Sequence, residues 1–323
     1  MSDVMEQVFE IPQRLMVAIG GNATHPEDIA GTSEEQATIA ARTAQALLPL
    51  TSLDTELILT HGNGPVVGKI LMRQVLTRDR IAPMPLDICV AHSQGGIAYL
   101  LMQAIENSLR EIGNARHCAV LLTQVEVAAD DPAFQHPSKP IGAFYSQEQA
   151  GEIATELGWQ MAEDAGRGWR HVVPSPKPRH ICDVSLVQVL ARRGTIVIAG
   201  GGGGIPVIRK DNGVRQGVAA VIDKDLTSAL MANVIGIPVM MILTAVQQVA
   251  IHFGTPEQQM LDTVSLAEIR RYHQQGHFPE GSMGPKIEAA LQFLDGGGER
   301  VIIAHIEEAM PALQGKAGTH IVA

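Results

Sequence analysis

Aromatic residues are scarce in this 323-residue chain, at 3% of positions. A core of that composition rests on Ala, Val, Ile, Leu and Met, the usual filling between helices and a parallel sheet. Cysteine is scarce too. Cys89, Cys118 and Cys182 stand scattered, without C-x-x-C or Cys/His spacing. That excludes a disulfide scaffold and reads as buried or incidental thiols in a reducing compartment. No basic block is long enough to serve as a nucleic-acid footprint, and the net charge is −10. An anionic ligand must therefore be drawn by local lysines and backbone amides, not by the overall field. No apolar run approaches the roughly 20 residues that a membrane span needs. The acidic start MSDVMEQVFEIPQ lacks the n-region and h-region of a signal peptide. The expectation is a cytoplasmic protein with neither nucleic acid nor membrane as partner.

Several catalytic signatures are also missing. No G-x-x-x-x-G-K-[ST] occurs, so a P-loop is excluded. GNGPVVG (62–68) has one residue too many for G-x-G-x-x-G, and the glycine run at 200–204 meets Pro206 where that pattern needs glycine, which removes most support for hydride transfer. No G-x-S-x-G elbow appears; HSQGG (92–96) is not one. H-E-x-x-H is absent, and no metal-ligating residues are assigned. His61 and His92 read as hydrogen-bonding groups near a ligand face.

What the chain does contain is alternation. Short β-rich runs at 14–21, 56–64, 117–127, 195–199, 238–246 and 299–307 are interleaved with helical patterns at 38–50, 90–113, 185–194, 224–236 and 285–297. This predicts an α/β fold, a three-layer α/β/α sandwich around a mostly parallel sheet. Ligands in such sheets collect beyond the carboxyl ends of the strands. Glycine clusters fall there three times: IGGNATHP (19–26), THGNGPVVG (60–68) and AGGGGGIPV (199–207). Such turns bring backbone N–H groups close to an anion. The five-glycine run could be a flexible linker, but linkers carry polar flanks and this run joins two apolar stretches. Residues 128–180 break the rhythm, being rich in Pro, Gly and charge. They predict an inserted subdomain or lid, in which Phe134, Phe144, Tyr145, Trp159 and Trp169 could form a small core.

Lys224, between Asp223 and Asp225, begins one predicted helix, and Lys286 follows Pro285 in the first turn of another. A cation there opposes the helix dipole unless an anion completes the site; the alternative is a solvated surface lysine. Lys139 is framed by Pro137 and Pro140 within the insert, an arrangement that suits a positioned side chain or an ordinary exposed one.

VAIGGNA, LTHGNGPVVG, TQVEVAADDPAFQHPSKPIGAFY, EDAGRGWRHVVPSPKP, IVIAGGGGGIPV, GVAAVIDKDLTSALMA and GHFPEGSMGPKIEAA together resemble the carbamate kinases of the amino acid kinase superfamily, nearly over the full length. DPAFQHPSKPIG and EDAGRGWRHVVPSPKP are the most specific, since they match the protruding subdomain of that family. The resemblance implies one amino acid kinase-like domain across 1–323. It would have an N-terminal substrate lobe at 14–195, the protruding subdomain at 128–180 and a C-terminal nucleotide lobe at 196–323. It implies reversible ATP formation from ADP and carbamoyl phosphate with release of carbamate, in arginine or nitrogen catabolism, by a homodimer. Mg²⁺ would be bound mainly through the nucleotide phosphates. Lys139, Lys224, Asp225 and Lys286 would be catalytic. Gly20, Gly21, Asn22, Gly62, Asn63, Gly64, Gly201, Gly202 and Gly203 would cradle substrate and phosphoryl group. Thr244, Ala245, Val246, Met283, Gly284 and Lys286 would hold the nucleotide. Glycine in the run would keep side chains from holding phosphate away from the backbone.

The chain departs from the family pattern at Gly200, Val66, His92 and Gln247, where Ser, Gln, an uncharged residue and an acidic residue are frequent. All three lysines are present, which argues against a non-catalytic sensor on the same fold. The insert argues against an amino acid kinase that acts on a carboxylate such as that of acetylglutamate.

Overall fold

The computed structural model describes residues 9–26, 29–164, 166–279 and 283–323. The side chain of Asn22, one of the expected phosphate contacts, lies outside the described residues, as do Gly281 and Ser282 of the GSMGPK motif.

Eight strands form the large sheet: β1 (Arg14–Ile19), β2 (Glu56–His61), β3 (Cys118–Leu121), β4 (Ile196–Ala199), β5 (Val239–Thr244), β6 (Thr263–Ser265), β7 (Arg300–His305) and β8 (Thr319–Val322). Their spatial order is β6-β8-β7-β5-β1-β2-β4-β3. Every neighbouring pair from β7 across to β3 is parallel, while β8 runs antiparallel to β7. The period of two along each strand explains why these segments read as continuous apolar runs. Leu15, Val17 and Ile19 enter one core, and Met16 and Ala18 enter the core on the opposite face. Both faces are covered by helices, so neither parity is free to be polar. The fold is thus the α/β sandwich expected, with its central strands β5, β1, β2 and β4 adjacent.

Several elements differ from the expectation. The predicted strand 117–127 is two strands in two sheets, Cys118–Leu121 and Gln124–Val127. Thr123 is the pivot between them: its N–H donates to Gln94 Oε1 at 2.7 Å and its Oγ1 accepts from Gly200 N–H at 2.8 Å. Gln124–Val127 joins Ile205–Arg209, Arg215–Gly217 and Pro178–Ile181 in a four-stranded sheet. The first long helix begins at Ser33, not at 38, because Thr32 and Glu35 form a capping box. A helix at Gly64–Thr77 and the strands β6 and β8 have no counterpart in the expectation. Helix Leu86–Glu111 is long and apolar enough to cross a membrane by length and composition. Here it buries Cys89, Val90, Ile97, Ala98, Leu101, Ile105 and Leu109 against the protein core.

Within 128–180, Lys139–Tyr145, Trp169–Val173 and Met161–Glu163 form an antiparallel sheet, with helix Gln147–Leu157 beside it. The aromatics do not gather into one core. Trp159 stacks on His171 at 4.0 Å, Phe144 lies under the Arg167 and Arg170 guanidinium groups, and Phe134 packs on the main core. The base of this element is aliphatic instead: Ile141 and Val173 pack with Val67, Val90 and Val221 of the body.

Candidate functional site

The five glycines after β4 form a tight 3₁₀ turn, Gly201–Gly203, and not a linker. Two of them show why no other residue serves. Gly202 has φ 63°, and a Cβ there would lie 2.2 Å from Asn63 Nδ2. Gly203 has φ 89°, and its Cβ would lie 2.2 Å from the backbone oxygen of Ile222. Left-handed φ costs an L side chain energy even in open space, and here space is absent as well. The turn is pinned from all sides: Gln94 Nε2 donates to Gly201 O at 2.9 Å, and Thr227 Oγ1 donates to Gly203 O at 2.7 Å. His61 is buried against the turn at Gly201, and burial drops its imidazole to about 4, so the ring is neutral at pH 7. Close approach of protein to protein, rather than of phosphate to backbone, accounts for most of the run.

Beside this turn begins the helix Lys224–Ile235. Asp223 caps it, with Oδ1 accepting from Asp225 N–H at 2.8 Å and Leu226 N–H at 3.4 Å. Lys224 pairs with Asp225 Oδ1, and Lys286, from the first turn of helix Gly284–Asp295, lies 3.8 Å from Asp225 Oδ2. From the protruding element, Lys139 Nζ reaches Asp223 Oδ2 at 2.7 Å. Three lysines and two aspartates from three distant segments are thus gathered at one place. Burial opposes ionisation of Asp223, but the ammonium groups of Lys139, Lys224 and Lys286 outweigh it and hold the carboxyl well below the usual carboxylate range. Burial pushes the Lys224 pKa down, against the pull of Asp225.

These groups line a cavity of about 390 Å³, together with Gly21, Gly62, Asn63, Gly64 and Gly202. A second cavity of about 460 Å³ is walled by Gly20, Thr244, Ala245, Val246 and the Arg42–Glu307 pair. Gly21, Lys286 and Arg170 border both. The two spaces meet at the carboxyl ends of β1, β2 and β5, where β1 and β2 end at Ile19 and His61.

Four expected contacts do not reach either wall. All three glycines of the turn are buried, and only Gly202 lies on a cavity wall; Gly201 and Gly203 line neither. Gly284 is buried with its N–H on Pro279 O at 2.8 Å, and Met283 packs on the core. Among the four departures, Gly200 is left-handed at φ 62°, Val66 packs on the core, and His92 and Gln247 are exposed.

Asp223, Arg170 and Lys177 escape the sequence reading. Asp223 carries a signal, an Asp immediately before a predicted helix. Arg170 carries none, since its partners Asp164 Oδ2 and Gly142 O, both at 3.0 Å, depend on the fold of the insert. Lys177 lies on the cavity and pairs with Glu288 at 2.6 Å. His273 and His277 stand at H-x-x-x-H spacing, but the helix ends at Gln274 and the His277 ring meets His252 edge-on at 4.4 Å. Among the described residues no three His, Cys, Asp or Glu side chains come together as a metal site.

Glycine turns at strand ends thus face lysines carried on helix starts across one cavity. The model of the amino acid kinase family matches residues 13–305, and the chain belongs to that family. Within it the chain groups with the carbamate kinases, which are phosphotransferases. It is 44% identical to carbamate kinase of Pyrococcus furiosus, covering 96% of this chain and 99% of the relative. It is 47% identical to carbamate kinase-like protein YahI of Escherichia coli K12, covering 95% and 98%. Solved carbamate kinase from Giardia lamblia, bound to citric acid, superposes with a TM-score of 0.92 at 37% identity, covering 96% and 98%. The same protein bound to AMP-PNP gives 0.87 at the same identity and coverage.

Proposed function

We propose that the chain transfers a phosphoryl group reversibly between carbamoyl phosphate and ADP, giving ATP and carbamate. The observation that carries this reading is the convergence of Lys139, Lys224 and Lys286 on one cavity, with Lys286 bordering the neighbouring cavity as well. Phosphoryl transfer asks for in-line positioning and for stabilisation of charge spread over the equatorial oxygens. Both acceptors, the ADP β-phosphate and carbamate, are anionic oxygens already, so no general base is required. That is in keeping with a site of lysines and with the neutral, buried His61. Carbamoyl phosphate is assigned to the cavity of Gly62, Asn63, Gly64 and Gly202, and the nucleotide to the neighbouring one at Thr244, Ala245 and Val246. The N-terminal lobe, 14–195, would then serve the substrate and the C-terminal lobe, 196–323, the nucleotide. Lys286 borders both cavities and suits the group in transit; Lys224 neutralises it from the helix start while Asp225 orients both lysines.

Asp223 and Asp225 are each engaged by lysine, and among the described residues no carboxylate cage for Mg²⁺ is formed. The ion is assigned to the nucleotide phosphates, where it would neutralise their charge. Buried free thiols at Cys89, Cys118 and Cys182 support a reducing, cytoplasmic setting. Ile88 and Tyr99 on helix Leu86–Glu111, with Leu122 beside Gly95 of that helix, are exposed by 40, 53 and 61% and offer an apolar strip that suits burial in a homodimer.

The test is ATP formation from ADP, Mg²⁺ and fresh carbamoyl phosphate, with acetyl phosphate as comparison donor and acetylglutamate plus ATP as the reverse control. ATP should form, with carbamoyl phosphate the preferred donor. Binding of both ligands without turnover would point to a sensor, and phosphorylation of acetylglutamate to a different kinase of the family.

A further inference from the structure

We infer that Asp223 is the positioning residue for the lysine of the protruding element, and that this one carboxylate sets both sides of the phosphoryl site. Its two oxygens have separate tasks. Oδ1 fixes the start of the helix that carries Lys224 and Asp225, through their neighbouring amides. Oδ2 holds Lys139 Nζ at 2.7 Å, from a strand 84 residues earlier in the chain.

Three links keep that second contact in register. Lys139 pairs with Val173 across the antiparallel sheet of the insert. The next residue, Pro174, accepts a hydrogen bond from Val221 N–H at 2.9 Å, two residues before Asp223. Ile141 and Val173 pack against Val221 in the same apolar cluster. The base of the insert is therefore tied to the segment that ends in Asp223, and the ion pair completes the tie at the cavity edge. The pair is largely shielded, with side chains exposed by 23% at Lys139 and 16% at Asp223, so water screens it weakly. A long, flexible lysine without that anchor would sample several rotamers, and its ammonium would reach the phosphoryl oxygens less often.

The inference rests on the proposed function for its kinetic consequence, and it has a readout that does not. Asp223→Asn keeps the cap, because Asn is as good an N-cap as Asp, and removes the charge that holds Lys139. In the carbamoyl phosphate reaction, kcat/KM for that donor should fall by about 10- to 100-fold, the size of a lost charged hydrogen bond. KM for ADP and the melting temperature should barely move. Adding Asp223→Asn to Lys139→Met should cost much less than Asp223→Asn alone, since Lys139 is no longer there to uncouple and only the pull on Lys224 and Lys286 is left. Independently of turnover, mild acetylation read by peptide mass spectrometry should label Lys139 several-fold faster in Asp223→Asn than in the wild type, with exposed Lys210 unchanged. Equal labelling of Lys139 in both proteins, or a full additive loss in the Lys139→Met background, overturns the inference. A wild type without turnover counts against the proposed reaction, and the labelling still decides the role of Asp223.

Discussion

Replacing Gly203 by alanine tests whether the glycine run is a demand of the fold. The added methyl meets two penalties. At φ 89° a side chain is in the left-handed region, at a cost of about 1–2 kcal/mol. It would also lie 2.2 Å from Ile222 O, a backbone atom that cannot swing aside. Relief of such overpacking costs about 1–3 kcal/mol. Together the destabilisation is about 2–5 kcal/mol. Unfolding entropy near 2.1 cal/mol/K per residue converts this, over 323 residues, into a fall in melting temperature of about 3–7 °C. Gly213→Ala supplies the control, because φ is 82° there and the new methyl would meet nothing within 4 Å. Only the backbone cost applies, about 1.5–3 °C by the same conversion. The variants should differ in activity too: a shift of Ile222 passes directly to Asp223 and Lys224, whereas Gly213 sits in an exposed hairpin turn. Thermal melts and turnover of the two variants, side by side, are the assay. Equal melting temperatures with wild-type turnover in Gly203→Ala would refute the close-approach argument.

Further outcomes follow from buried polar groups. The His61 imidazole is lowered to about 4 by burial, whereas an unfolded chain protonates near 6.5. Protons then favour the unfolded state between those values, so stability falls as pH drops from about 6.5 to 4, by roughly 3 kcal/mol if His61 acts alone. His61→Gln should flatten that slope in melts at pH 7, 6 and 5; an unchanged slope would assign it to other groups such as His171, also lowered to about 4 by burial. Arg170→Met removes one of two arginine partners of the buried Asp164; Arg167 stays 3.2 Å away, so the expected cost lies below the about 3–5 kcal/mol of a fully unpaired buried charge. Faster proteolysis or hydrogen exchange confined to 139–173 is the predicted sign, and uniform exchange across the chain would contradict it.

Much of this architecture is legible in the chain itself. The central strands announce themselves because both faces of the sheet are covered, leaving β-rich apolar runs that end in glycine turns. Lys224 and Lys286 stand out because a cation at a helix start is electrostatically awkward without an anion. Long-range pairings are harder to read. Nothing near Arg170 foretells Asp164 and Gly142, and nothing near Lys139 foretells Asp223, because each contact is made by the fold of the insert. The aromatics of 128–180 mislead for the same reason: scarcity suggests a private core, while the base is held by Ile141, Val173 and Val221. The glycine run does form a turn at the cavity edge, but three of its neighbours, His61, Asn63 and Ile222, set its composition from the protein side.

The central claim is that the gathered lysines stabilise a phosphoryl group in transfer, and Lys224→Ala tests it most directly. The measurement is the rate of ATP formation from saturating carbamoyl phosphate, ADP and Mg²⁺, made beside a circular dichroism spectrum and melt of the same sample. Loss of one preorganised donor at developing charge is expected to cost about 100- to 1,000-fold in turnover, with the folded spectrum retained. A correctly folded Lys224→Ala that turns over at near wild-type rate would contradict the account.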